Sequence, residues 1–315
     1  MASSPIIFDR RLLRARRIRA DALGPSSFLL DRVAEDVADR LAAVLRRFEC
    51  AVDLGTPADA VRRALAASGK VGTIIAADAL AGAPSLSLRR LRGRIAQGEL
   101  AIAADAEALP FRDASLDLVV SALALQFVND LPGTLVQIRR ALKPDGLLLA
   151  ALVGGDTLTE LRQAFAAAEA EIEDGISPRV APFADIGEMG ALLQRAGFAL
   201  PVTDVDRLTV RYASPIALMH DLRRMGATNP LVDRRRRLLK RALLERVMEI
   251  YGERFSDPDG RIRATFEIIW LSGWAPHESQ QRPLAPGSAQ RRLADALGAK
   301  EISAGEKAGT GDGSQ

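Results

Sequence analysis

The sequence predicts an α/β fold: a mostly parallel sheet with helices on both faces, helices ahead of it and a helical addition behind. Three observations carry that expectation. Apolar runs at 51–54, 72–77, 99–104, 116–123 and 146–153 alternate with helical patterns, and near-continuous apolar strands are those covered on both faces. Asp53, Asp78 and Asp105 stand at or just beyond the ends of three of these runs. A Lys143-Pro144-Asp145-Gly146 turn then leads into the fifth.

The elements follow in order. Residues 9–22 read as a basic helix, and Ser26 or Ser27 caps a second one with Leu30, Val33, Val37, Leu41 and Val44 on its apolar face. The first strand leads through Gly55 into a helix at 57–68, with Thr56 as its cap, Pro57 as its first residue and Asp59 at its third position. After the fifth strand, Thr157 and Glu160 have the spacing of a capping box. Asp185 and Glu188 open another helix, which Gly197 ends. Alternating segments at 202–206 and 208–212 predict an antiparallel hairpin at the sheet edge. Ser214-Pro215 starts a helix closed by Gly226, and a long helix is expected over 233–251. The domain expectation is an N-terminal helical segment at 1–48, an α/β domain at 49–213, a helical addition at 214–295 and a disordered tail at 296–315.

Composition narrows the function classes. The 315 residues carry 43 basic and 40 acidic side chains, a net charge of +3, too small a surplus to signal nucleic-acid binding. Basic residues cluster at 10–19, 89–94 and 234–241, and in the last cluster Leu239, Leu243, Val247 and Ile250 at helical spacing make the arginines the solvated face of an amphipathic helix. No run approaches a membrane span. The single cysteine, Cys50, excludes an internal disulfide and points to a reducing compartment. The Arg-rich first twenty residues resemble a transit peptide, but Asp9 interrupts them. A bacterial cytoplasmic location is expected ahead of a mitochondrial matrix one. His220 and His277 have no second ligand at metal spacing, so no metal centre is expected.

Chemistry is expected beyond the carboxyl ends of the strands. Carboxylates there accept hydrogen bonds from a diol or an amino group, and Asp78 follows Asp53 at a spacing suited to ribose hydroxyls one β-α-β unit later. The loop Asp53-Leu54-Gly55-Thr56-Pro57-Ala58-Asp59 retains one glycine. Pro57 has no N–H to offer a ligand, and a carboxylate at Asp59 opposes a ligand carboxylate. The loop thus predicts weakened cofactor affinity.

The segments 105–111 (DAEALPF), 116–132 and 142–146 (LKPDG) resemble class I S-adenosylmethionine-dependent methyltransferases, including the carrier-protein O-methyltransferases of biotin synthesis. The narrower motifs 8–17 (FDRRLLRARR), 154–162 (GGDTLTELR), 177–183 (SPRVAPF), 221–229 (DLRRMGATN) and 273–283 (GWAPHESQQRP) resemble the methyltransferase-like assembly factor 5 family of respiratory complex I. That resemblance covers roughly residues 8–295. It implies a Rossmann-like seven-stranded sheet with an antiparallel last strand. It also implies S-adenosyl-L-methionine as cofactor and action on a protein substrate, a peripheral-arm subunit of NADH–quinone oxidoreductase, by methyl transfer or arginine hydroxylation. Asp53, Gly55, Asp78, Asp105 and Ala106 match its cofactor-pocket positions, whereas Pro57 and Asp59 stand where members carry further glycines. Asp156, Trp274 and His277 are weaker candidates for substrate contact, with helix capping by Asp156 and packing by Trp274 as their plainer readings. No catalytic residue is assigned. The alternatives are a non-catalytic assembly chaperone with a degenerate cofactor loop, and a carrier-protein or small-molecule O-methyltransferase.

Overall fold

The computed structural model describes residues 6–79, 100–173, 175–281, 295 and 298. The basic cluster at 89–94 and all but one residue of the tail at 296–315 lie outside the described residues. The chain divides into Met1–His277 and Glu278–Gln315, not at 48, 213 and 295. Both N-terminal helices and the later helical segments belong to the same unit as the sheet.

Within the first unit two helices, α1 (Arg10–Ala22) and α2 (Phe28–Ala43), precede the sheet. The strands are β1 (Phe48–Leu54), β2 (Val71–Asp78), β3 (Leu100–Ala103), β4 (Leu116–Ala122), β5 (Leu142–Val153), β6 (Ala199–Tyr212) and β7 (Ile262–Trp274). Between and after them run α3 (Ala60–Ala67), α4 (Leu131–Ala141), α5 (Thr159–Ile172), α6 (Ile186–Arg195), α7 (Pro215–Arg224) and α8 (Arg241–Phe255). They form one seven-stranded sheet in the order β3-β2-β1-β4-β5-β7-β6. Pairing is parallel from β3 to β5, while β7 runs antiparallel to both β5 and β6. Apolar clusters fill both sides of the sheet. One is built on α2, α5 and α8 and the other on α4 and α6, which is why β4 is buried along its whole length.

The expected hairpin at 202–212 is instead one strand. β6 carries its alternation straight through Asp206 and Arg207, where no turn residue interrupts it, and pairs with β7 along its length. β7 is absent from the strands expected from sequence, although apolar and polar residues alternate from Ile262 to Ile268; only from Ile268 to Leu271, where both faces are covered, does it become a continuous apolar run. Its insertion between β5 and β6 gives the sheet its antiparallel last strand.

Helix starts are the other corrections. Ser27 makes no side-chain cap, its hydroxyl donating instead to Asp31 at 2.6 Å. The helix expected from 57 begins at Ala60, because Ala58 adopts φ 62° and turns the chain first. Thr157 and Glu160 form no capping box. The Thr157 hydroxyl exchanges hydrogen bonds with the Glu267 backbone at 3.1 and 2.9 Å, and Glu160 accepts from Thr265. Both side chains tie α5 to β7. The helix expected from 233 starts at Arg241, with Arg234 paired to Asp9 and Arg235 to Glu173. A run of arginines is disfavoured at a helix N-terminus by the macrodipole. By contrast Asp185 and Ser214 cap α6 and α7 as expected, accepting from Gly187 and Ala217.

Candidate functional site

The strand order reverses direction between β1 and β4, and open α/β sheets bind ligands at such a point, beyond the carboxyl ends of the strands. Gly55 follows β1 directly, and its N–H donates to the Ala77 carbonyl at 2.7 Å. Its φ of 70° belongs to the left-handed region, and a Cβ there would meet the Ala124 Cβ at 3.2 Å. Chain conformation and space both call for glycine. Asp78 ends β2, and Asp105 and Ala106 follow β3. Gly55, Asp78, Asp105 and Ala106 line one cavity of about 290 Å³, which is where their strand-end positions place them.

The far wall of that cavity is α1, whose Arg10, Arg14 and Arg17 share a face at i, i+4 and i+7. Arg10 pairs with Asp105 and, at 3.0 Å, with Glu107. Burial works to raise the Asp105 carboxyl, but Arg10 and the Glu107 N–H outweigh it and hold it below the ordinary carboxylate value. Arg17 donates to the Gly55 carbonyl at 3.4 Å. The sequence predicts a basic helix at 9–22, and the spacing of these arginines places them on one side of it without saying which surface that side faces.

Asp53 lies elsewhere. It is buried beneath the loop, bonded at 2.6 Å to the equally buried Arg62 of α3, and it lines neither this cavity nor its neighbour. Burial pushes its carboxyl up to about 6 in spite of Arg62. Thr56, expected as a cap, is buried and accepts from the Ala122 N–H at 3.0 Å, fastening the loop to β4. Asp59 pairs with Arg63 and lines neither cavity. The repulsion expected from its carboxylate therefore has no geometric basis.

A second, more apolar cavity adjoins the first. Leu30, Leu123, Leu158, Phe183, Met225 and Phe266 contribute to its wall, and Arg17, Asp78 and Phe127 border both cavities. Asp156 lies outside both, exposed and paired with Arg207. Trp274 is further removed. It pairs with Leu147, six residues before the carboxyl end of β5, about 20 Å along the strand at roughly 3.3 Å per residue. Trp274 and the exposed His277 thus lie towards the opposite end of the strands, at the amino-terminal side of the β5 ladder. There the neighbouring Ala275 exchanges backbone hydrogen bonds with Asp145 and Gly146, in keeping with the anchoring role read for this segment. Among the described residues no three His, Cys, Asp or Glu side chains converge to hold a metal ion, and no helix is long and apolar enough to cross a membrane.

A family model described as a methyltransferase domain matches residues 52–150, the stretch from β1 to β5 that builds the first cavity. The mitochondrial arginine-hydroxylase NDUFAF5 of Danio rerio is 37% identical over 292 residues, spanning 92% of this chain and 89% of that one. A malonyl-[acyl-carrier protein] O-methyltransferase of Halorhodospira halophila is 35% identical over 277 residues, spanning 87% and 90%. Among solved structures, a putative methyltransferase from Bacillus halodurans superposes with a TM-score of 0.52 at 17% identity, covering 77% of this chain and 98% of that one. The fold is that of the class I methyltransferases.

Proposed function

We propose, since this chain belongs to the family of the arginine-hydroxylase NDUFAF5, that it binds S-adenosylmethionine in the cavity of Gly55, Asp78 and Asp105 and modifies an arginine of a protein substrate. The observation that carries the reading is a match running through nearly the whole of both chains, well past the methyltransferase domain. The substrate we assign is a peripheral-arm subunit of NADH–quinone oxidoreductase, met in the bacterial cytoplasm during assembly.

The residues fit the cofactor. Gly55, where φ and the Ala124 Cβ both disfavour a side chain, brings bare backbone to the cavity wall. Asp78, between the two cavities, offers a carboxylate for the ribose diol. Asp105 and Ala106 stand at the third strand end, where an adenine amino group finds an acceptor. When bound, the cofactor supplies an electrophilic methyl group on a sulfonium. The chain's own contribution is position: Phe127 and Asp78 border both cavities, so a side chain entering the apolar one comes up against the cofactor.

Deleting the gene tests this. The expected result is less assembled oxidoreductase, together with a missing arginine modification in the mass spectrum of one subunit. Less complex with unchanged subunit masses would instead mark an assembly chaperone. Normal complex with normal masses would overturn both. The apolar wall of the second cavity and the H. halophila relative favour one further reading, methyl transfer to a malonyl carrier protein. Ester formation on that carrier by the purified protein would establish it.

A further inference from the structure

Resting on that cofactor reading, we propose that Arg17 anchors the carboxylate of the cofactor's methionine moiety, the part given up by the altered loop after β1. The loop offers little for an anion. Pro57 has no N–H, Thr56 is turned inward to β4, and the left-handed Ala58 delays α3 to Ala60. A carboxylate lying beside Gly55 needs its counter-charge from another element.

Arg17 is that element's contribution. It stands beside Gly55 on the wall shared by both cavities, as does Asp78. Its one hydrogen bond among the described residues is the long one to the Gly55 carbonyl, 3.4 Å. The neighbouring arginines are engaged differently: Arg10 spans two carboxylates, and Arg16 donates to the carbonyls of Thr228 and Asn229. Burial lowers the Arg17 pKa below the ordinary guanidinium value, outweighing the attraction of Asp78 and Asp21. A half-buried guanidinium that makes no salt bridge among the described residues presents a planar fork suited to a bidentate carboxylate. With Arg17 on the carboxylate and Asp78 nearby, the two ends of the ligand's polar portion each have a partner of opposite character.

Calorimetry on the full chain separates this role from a structural one. The two ligands are S-adenosylhomocysteine, which carries the amino-acid tail, and 5′-methylthioadenosine, which lacks it. The wild type is expected to prefer the first. Arg17→Ala should weaken S-adenosylhomocysteine about 10- to 100-fold, the worth of a charged hydrogen-bonded pair, and leave methylthioadenosine unchanged. Arg17→Lys should recover part of the loss. Equal weakening of both ligands would make Arg17 a structural residue and overturn the proposal, as would unchanged affinity or a wild type that does not distinguish the two. A wild type that binds neither overturns the cofactor reading itself, and this inference with it.

Discussion

Asp53 and Arg62 show how far a single side chain can depart from its sequence-level role. Resemblance placed Asp53 on the cofactor, yet it is closed off beneath the loop against a buried guanidinium at 2.6 Å. Burial raises its carboxyl from 3.8 to about 6 even so. The folded protein therefore holds that proton more tightly than the unfolded chain. Between about pH 4 and 6 the native state binds more protons, and the Asp53 contribution to stability falls as pH rises. Urea denaturation of wild type and Asp53→Asn at pH 4, 5 and 6 checks this: the wild type should lose stability relative to the variant across that range. A gain instead would mean that Arg62 dominates and the carboxyl is ionised throughout. Helical spacing puts Arg62, three residues before the buried Leu65, beside the apolar face of α3 and Arg63 opposite it, but nothing in the sequence gives Arg62 the buried Asp53 as its partner.

At the scale of elements, the family motifs turn out to be the seat of α1. Asn129 accepts from the N–H groups of Ile7 and Phe8, and Asp9 donates its N–H to the Pro230 carbonyl. Arg16 reaches the carbonyls of Thr228 and Asn229, and the Asn229 amide donates to Pro178. Segments 8–17, 177–183 and 221–229 thus meet along one helix that presents Arg10 and Arg17 to the cavity. The backbones come close at Gly226, with φ 72° and a would-be Cβ 3.2 Å from the Arg17 Cα. Gly226→Ala should cost roughly 1–2 kcal/mol from the left-handed conformation alone. It should also weaken S-adenosylhomocysteine binding by shifting α1, as read by denaturation and calorimetry on the same preparation. Lost stability with full affinity would detach the motif from the site. The helices capped by Asp185 and Ser214 were legible because cap, apolar face and closing glycine agreed within each segment. Thr157 and Glu160 misled because their partners are Glu267 and Thr265, more than a hundred residues away. Of the residues that line the first cavity, Asp78 and Asp105 are legible at strand ends, while Gly55 and Ala106 come from the family resemblance. The arginines opposite them belong to a helix whose docking depends on residues 226–231.

The whole molecule is closed by its seventh strand. β7 leaves the chain about 110 residues after β5 and inserts between β5 and β6, pairing with both. It also receives Thr157 and Glu160 at the start of α5. Five of its buried residues, Phe266, Ile268, Ile269, Trp270 and Leu271, lie in the two apolar clusters on either side of the sheet. Removing them forfeits about 1.5–3 kcal/mol each, a sum that reaches the whole net stability of an ordinary domain. It also leaves β5 and β6 with unpaired edges, which are templates for aggregation. A chain ended at Arg261 should therefore be insoluble, or soluble without near-ultraviolet circular dichroism, and should bind no S-adenosylhomocysteine, although Gly55, Asp78 and Asp105 are all still present. Supplying residues 262–281 as a co-expressed peptide should restore solubility if the insertion is what closes the sheet. A folded, ligand-binding chain without the peptide would show that β1 to β5 suffice for the cavity and that β7 serves only the edge it covers.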